Sequence, residues 1–124
     1  MSYASSRKRR GIWRDRRLLP LLWASVIIVV SSLPGEEIPS VELESADKIA
    51  HFLEYLVLGL LLIFGFRGRK ILLWGASLGV LDELHQLFIP GRYCTPLDLA
   101  MNLVGLAASP LVFSLLSRLG KKKD

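Results

Sequence analysis

Two adjacent carboxylic acids, Asp82 and Glu83, close the apolar run at 71–81 and are followed at once by Leu84, His85 and Gln86. Paired acids beside an imidazole can do general acid–base work, because one group can give a proton while another takes it. A second set of polar side chains is Lys48, His51, Glu54 and Tyr55; a third is Asp98 and Asn102, with Arg92 shortly before it. On a helix, Asp82 and Gln86 are four residues apart, Glu83 and Gln86 three, and His85 is three beyond Asp82, so all four share one broad face. Lys48, His51 and Tyr55 form a stripe by the same spacing. The candidates for proton transfer are therefore His51, Asp82 and Glu83. The candidates for holding a substrate are Lys48, Tyr55, Gln86, Arg92, Asp98 and Asn102. His51, Asp82, Glu83 and Asp98 could also gather around a divalent ion, with Lys48 or Arg92 facing a phosphate or carboxylate. No spacing here amounts to a metal signature and the ligands would come from three helices, so no metal is assigned, and the sequence identifies no cofactor.

The elements that carry these groups are long apolar runs. The 124 residues suffice for one domain. Apolar residues make up 52% of the chain and mean hydropathy is +0.42, with the apolar residues clustered as in a membrane protein. A crossing helix needs about 20 mostly apolar residues. Four segments qualify: 18–33, about 50–66, 71–89 and about 97–119. The fold expected is an all-α, integral membrane four-helix bundle over 18–119, with a basic segment at 1–17 and a basic tail at 120–124. The start also has the outline of a signal peptide, but the length of its apolar run and the spans that follow favour an uncleaved first helix.

Charge orients the spans, since lysine and arginine collect in cytoplasmic loops. Seven basic residues precede the first span, three (Arg67, Arg69, Lys70) separate the second and third, and four (Arg118, Lys121, Lys122, Lys123) end the chain. Only Lys48 and Arg92 fall on the other side, so both termini are expected in the cytoplasm. Trp13, Trp23 and Trp74 then lie near the inner boundary and Tyr93 near the outer one. Gly75 and Gly79 give the third helix a small-residue face, Pro110 should bend the fourth or interrupt its hydrogen bonding, and Pro90 with Gly91 makes a turn between them. Cys94, the single cysteine, excludes an intrachain disulfide. The +5 net charge comes with no nucleic-acid recognition motif, and the basic ends are explained by orientation and by contact with anionic lipid heads.

In this topology Asp82 lies about 16 Å along its helix and Gln86 about 22 Å. Every candidate polar residue then falls in the outer half, which predicts a polar cleft open to the extracytoplasmic side. A charge at a helix centre costs at least about 2.5–3.5 kcal/mol in a membrane. Interhelical hydrogen bonds return only about 0.6 kcal/mol on average, so a functional cleft is favoured over a set of groups that merely lock the helices.

The run from Asp47-Lys48 through His51, Phe52, Tyr55, Leu58 and Gly59, followed by Asp82, Glu83, Gln86, Phe88, Pro90-Gly91-Arg92, Asp98, Asn102 and Gly105, resembles the VanZ-like family of small bacterial membrane proteins. SSLPG after the first span is similar to the end of that family's first helix. The resemblance covers about 30–106 and includes neither Glu54 nor His85. It implies structural roles for Asp47, Gly59, Pro90, Gly91 and Gly105, a place in the bacterial cell membrane, and a link in some hosts to teicoplanin resistance. It implies no particular reaction.

Three functions fit these residues. One is an enzyme acting on an envelope lipid or lipid-linked precursor from outside. Another is an accessory protein that binds such a precursor or a membrane partner without catalysis, its polar residues locking the bundle. The third is a transporter, for which four helices leave little room unless the chain forms a homo-oligomer. The expected partners are membrane lipids and a lipid-linked envelope precursor, with no nucleic acid.

Overall fold

The computed structural model describes residues 3–33, 44–92 and 95–122, with side chains from 16–33, 48–92 and 95–122. Within them the chain is all-α. Its helices are α1 (Tyr3–Ser31), α2 (Glu44–Phe66), α3 (Leu72–Gln86) and α4 (Pro96–Lys122), and no strand occurs among the described residues. Pro34 and Gly35, Tyr93, Cys94 and the side chains of Trp13 and Asp47 lie outside what is described.

The most extensive contact is between α2 and α4. These two helices run parallel, because Lys48 meets Asp98, His51 meets Asn102, and Gly59 meets Ser109 in the same order along both. Two glycines allow the approach. A Cβ on Gly105 would run into the carbonyl oxygen of Phe52 and reach within 3.0 Å of the Leu56 nitrogen, both in the backbone of α2. A Cβ on Gly59 would collide with the Ser109 side chain. Small residues are what let helix backbones come this close.

Helix α3 runs antiparallel to this pair. A Cβ at Gly79 would sit 3.3 Å from Tyr55 and 3.6 Å from Asn102; one at Gly75 would sit 2.9 Å from Leu106 and 3.1 Å from Leu62. The Gly75 and Gly79 face expected from the sequence is thus the face α3 turns to α2 and α4. Helix α1 is antiparallel to α2: the Trp23 indole donates to the Glu54 carbonyl at 2.9 Å, and the Arg16 and Arg17 guanidiniums lie over the rings of Phe64 and Phe66. The helices therefore alternate in direction. Arg16, Arg17, Arg67, Arg69, Lys70, Arg118, Lys121 and Lys122 share one end of the molecule. Tyr55, Leu58, Leu62, Ala24, Ile27 and Leu106 form the apolar core between the helices.

Each of two helices contains a proline, which removes one backbone donor and frees the carbonyl four residues earlier. In α4, Pro110 frees the carbonyl of Leu106, and the Ser109 hydroxyl donates to that oxygen at 2.6 Å. Gly59 supplies the space Ser109 needs. In α1, Pro20 frees the carbonyl of Arg16, and this oxygen lies where a Cβ on Gly65 would come within 2.9 Å. The freed Arg16 carbonyl thus faces one glycine of α2, and the serine that bonds the freed Leu106 carbonyl packs on another.

Two helices, α2 over Lys48–Phe66 and α4 over Pro96–Lys122, are long and apolar enough to cross a membrane. The element bounds differ from the expected spans at several places: α2 begins at Glu44, and α4 runs on to Lys122, into the expected tail. Helix α1 starts at Tyr3, so most of the basic segment 1–17 is helical. Helix α3 has only 15 residues, about 22 Å. Leu87, Phe88 and Ile89 continue it with tighter bonds to the carbonyls three residues back. Pro90 then stops it, because its ring disfavours helical backbone at Ile89 and clashes with the carbonyl of Gln86. Gly91 follows at φ 76°, and the Arg92 amide closes the turn on the Ile89 carbonyl at 3.2 Å. In the α2–α3 turn, the left-handed residue is Arg67 (φ 50°), not Gly68.

Two contrasts test this packing. Alanine at Gly105 should destabilise by about 1–3 kcal/mol because α2 and α4 must separate. Alanine at Gly120 of the same helix meets nothing within 4 Å and should be neutral or stabilising by up to about 1 kcal/mol. Ser109→Ala should cost about 1–3 kcal/mol by leaving the Leu106 carbonyl unbonded, and Pro110→Ala in that background should recover much of the loss by restoring the backbone donor. Thermal unfolding in detergent reads all four.

Candidate functional site

The N-terminal end of α4 is built by a short local code. Thr95, Pro96 and Asp98 read as a helix start, with threonine at the cap, proline in the first helical position and an acid in the first turn. The Asp98 amide donates to the Thr95 hydroxyl oxygen at 3.2 Å. Lys48 of α2 crosses to this start, its ammonium 2.5 Å from Asp98 Oδ1 and 3.5 Å from Thr95 Oγ1. Thr95 was not among the candidates; its place four residues after Gly91 and directly before Pro96 was the available signal.

One turn deeper, Asn102 bridges two helices. Its amide nitrogen donates to Glu83 Oε1 of α3 at 3.1 Å, and its oxygen lies 3.1 Å from His51 Nδ1 of α2. With the amide nitrogen committed to Glu83, the oxygen is left to accept, so His51 carries its hydrogen on Nδ1. A neutral His51 then has Nε2 as its acceptor nitrogen. The imidazole also lies 3.7 Å from Glu83 Oε1. Deeper still, the Tyr55 hydroxyl donates to Asp82 Oδ2 at 3.2 Å. Asp82 Oδ1 is buried and accepts no hydrogen bond among the described residues. Gln86, one turn along the same face, is buried too.

The structure therefore brings Lys48, His51, Tyr55, Asp82, Glu83, Gln86, Asp98 and Asn102 together where α2, α3 and α4 meet. It sends Arg92 elsewhere. The Arg92 guanidinium donates through Nε to the Leu33 carbonyl at 3.1 Å and through Nη2 to the Val30 carbonyl at 2.9 Å, so it caps the end of α1. His85 also faces α1: its Nε2 lies 3.0 Å from the Ser32 hydroxyl oxygen, while that hydroxyl donates to the Ile28 carbonyl at 2.7 Å. Of the two histidines, His51 alone belongs to the cluster.

Chemically the cluster is rich in acceptors, and its one lysine is already held by Asp98. An open polar cleft was expected; the groups are instead closed over, with His51 5% exposed and Asp82 and Asn102 fully buried. The reason is the glycine packing of α2, α3 and α4, which leaves little space between them. What the arrangement can do is hold His51 in one tautomer through Asn102, keep Glu83 beside it, and present an Asp82 oxygen to a hydrogen-bond donor. Among the described residues no group of three or more histidine, cysteine or acidic side chains is placed to hold a metal ion.

The pairing of Tyr55 with Asp82 can be measured by a double-mutant cycle. Tyr55→Phe should destabilise by about 1–3 kcal/mol, since it strips a buried carboxylate of its donor. In an Asp82→Leu background the same change should cost much less. Chemical unfolding of the four proteins in detergent gives the coupling.

No curated protein and no solved structure matches the chain. The VanZ/LLP1 family does match, over residues 2–117. The match takes in all four helices nearly end to end, and with the two apolar helices it points to a membrane protein. By its sequence, the chain belongs to the VanZ/LLP1 family.

Proposed function

We propose that this chain is a multi-span protein of the bacterial cell membrane, with four crossings and both termini cytoplasmic, and that its polar cluster binds the polar part of a lipid-linked envelope component. The observation that supports the reading is the Asp82 oxygen that is buried without a donor among the described residues, in a cluster at the end of the molecule opposite the grouped basic residues from Arg16 to Lys122 named above. A buried acceptor left without a donor costs about 1–3 kcal/mol. A ligand that brings a hydroxyl, amide or amine hydrogen to this oxygen recovers that cost. The same geometry disfavours a phosphate in the cluster, since Lys48 is taken up by Asp98 and Arg92 lies on α1. Should a reaction follow binding, His51, Asp82 and Glu83 supply its acid and base. Binding of this kind would alter glycopeptide access to envelope precursors, which is the route by which a family member would affect teicoplanin susceptibility.

One observation favours a second reading, in which the chain is a non-catalytic accessory protein: the cluster is closed and its members bond chiefly to one another across α2, α3 and α4. The two readings separate experimentally. Lipid mass spectrometry on protein extracted in native membrane discs should find a lipid-linked component with the wild type and lose it with Asp82→Ala. Equal lipid content in a well-folded Asp82→Ala protein would favour the helix-locking role. The topology has its own check. In intact spheroplasts a membrane-impermeant maleimide should label Cys94, whereas a Cys94→Ser, Lys121→Cys variant should react only after permeabilisation.

A further inference from the structure

Away from the polar cluster, a groove of about 430 Å³ runs between α1 and α3, lined by Leu21, Ala24, Ile28, Val29, Trp74 and Leu78. Its volume is that of a small-molecule site, about 300–1,000 Å³. Ser25 also lines it, but gives its hydroxyl to the Leu21 carbonyl at 2.9 Å, so the wall is apolar. The groove opens sideways: Leu21, Val29 and Trp74 are all exposed. Along α1, from Leu21 to Val29, it spans about 12 Å.

The outer end of this groove is polar and cationic. One turn beyond Ile28 the Ser32 hydroxyl meets His85, and Arg92 lies on the carbonyls of Val30 and Leu33. Among the described residues no carboxylate pairs with Arg92. The helix-end carbonyls it caps carry only partial negative charge, and its Nη1 makes no bond to them. An apolar channel thus ends at an arginine that meets no carboxylate among the described residues.

We infer that this groove holds one anionic glycerophospholipid, an acyl chain lying along α1 and α3 and the phosphate headgroup on Arg92. The inference rests on the membrane reading above, and the polarity agrees with it: the headgroup end is the outer end, and the chain descends toward the basic end. Headgroup charge has to supply the selectivity. Lipid tails are as apolar as leucine, so the groove alone prefers no lipid over another. A guanidinium matches a phosphate in geometry as well as charge.

The test uses the full chain reconstituted in discs of phosphatidylglycerol and phosphatidylcholine in equal amounts, then extracted gently for native mass spectrometry. The wild type should retain phosphatidylglycerol about fivefold over phosphatidylcholine, as one basic residue near a membrane surface provides. Arg92→Gln should remove that preference and Arg92→Lys should keep most of it. Ser25→Phe, which fills the groove without touching the α1 cap, should abolish retention of both lipids. No preference in the wild type, or unchanged retention in Ser25→Phe, overturns the site while leaving the membrane reading intact. Failure of the chain to enter discs at all overturns both.

Discussion

The contact between the backbones of α2 and α4 at Gly105 governs the rest of the molecule. Two parallel helices whose backbones approach this closely cannot slide, since any axial shift drives a side chain into the Phe52 carbonyl. Their register is thereby fixed, and with it the pairing of Lys48 with Asp98 and of His51 with Asn102. Helix α3 then has one way to lie against the pair, with Gly75 and Gly79 inward, and this brings Asp82 and Glu83 to Tyr55 and Asn102. The polar cluster follows from apolar packing rather than the reverse. Its hydrogen bonds are modest individually, while the steric limit at Gly105 is not.

Much of this was readable from the sequence, for reasons of spacing. Intervals of three and four placed Asp82, Glu83 and Gln86 on one face and Lys48, His51 and Tyr55 on another, although the same spacing also put His85 with the acids, whereas it turns to α1; the charge clusters gave the helix directions that the contacts also give. The family, too, was legible in the spacing of the polar residues. Two things were not. The destination of Arg92 depends on where the carbonyls of α1 end in space, which no local pattern in the α3–α4 turn reveals. Closure of the cluster depends on how near α2 and α4 approach, and Gly59 and Gly105 mark that nearness only once they are known to face each other's helix.

The length of α3 is an instructive difference. Hydropathy continues through Phe88 and Ile89, so the apolar run reads as a span of 19 residues, whereas the helix has 15. Hydropathy registers what a side chain prefers, and Pro90 acts on the backbone. The same distinction applies to Pro110 in the opposite sense. It was expected to bend α4 or interrupt its hydrogen bonding, and the carbonyl it frees is bonded by the neighbouring Ser109.

That serine changes what the proline means mechanically. A proline in a membrane helix ordinarily leaves a slack joint, because one carbonyl has lost its partner. Here the hydroxyl splints the joint, and Gly59 seats the splint against α2. Helices α2 and α4 are consequently held to one another from the Lys48 ion pair to Ser109. Compliance is left to α3, which is short, ends in a tight turn and meets α1 across a groove. If a ligand is to reach the buried Asp82 oxygen, this packing leaves a displacement of α3 as the way in, rather than a flexing of the proline helix.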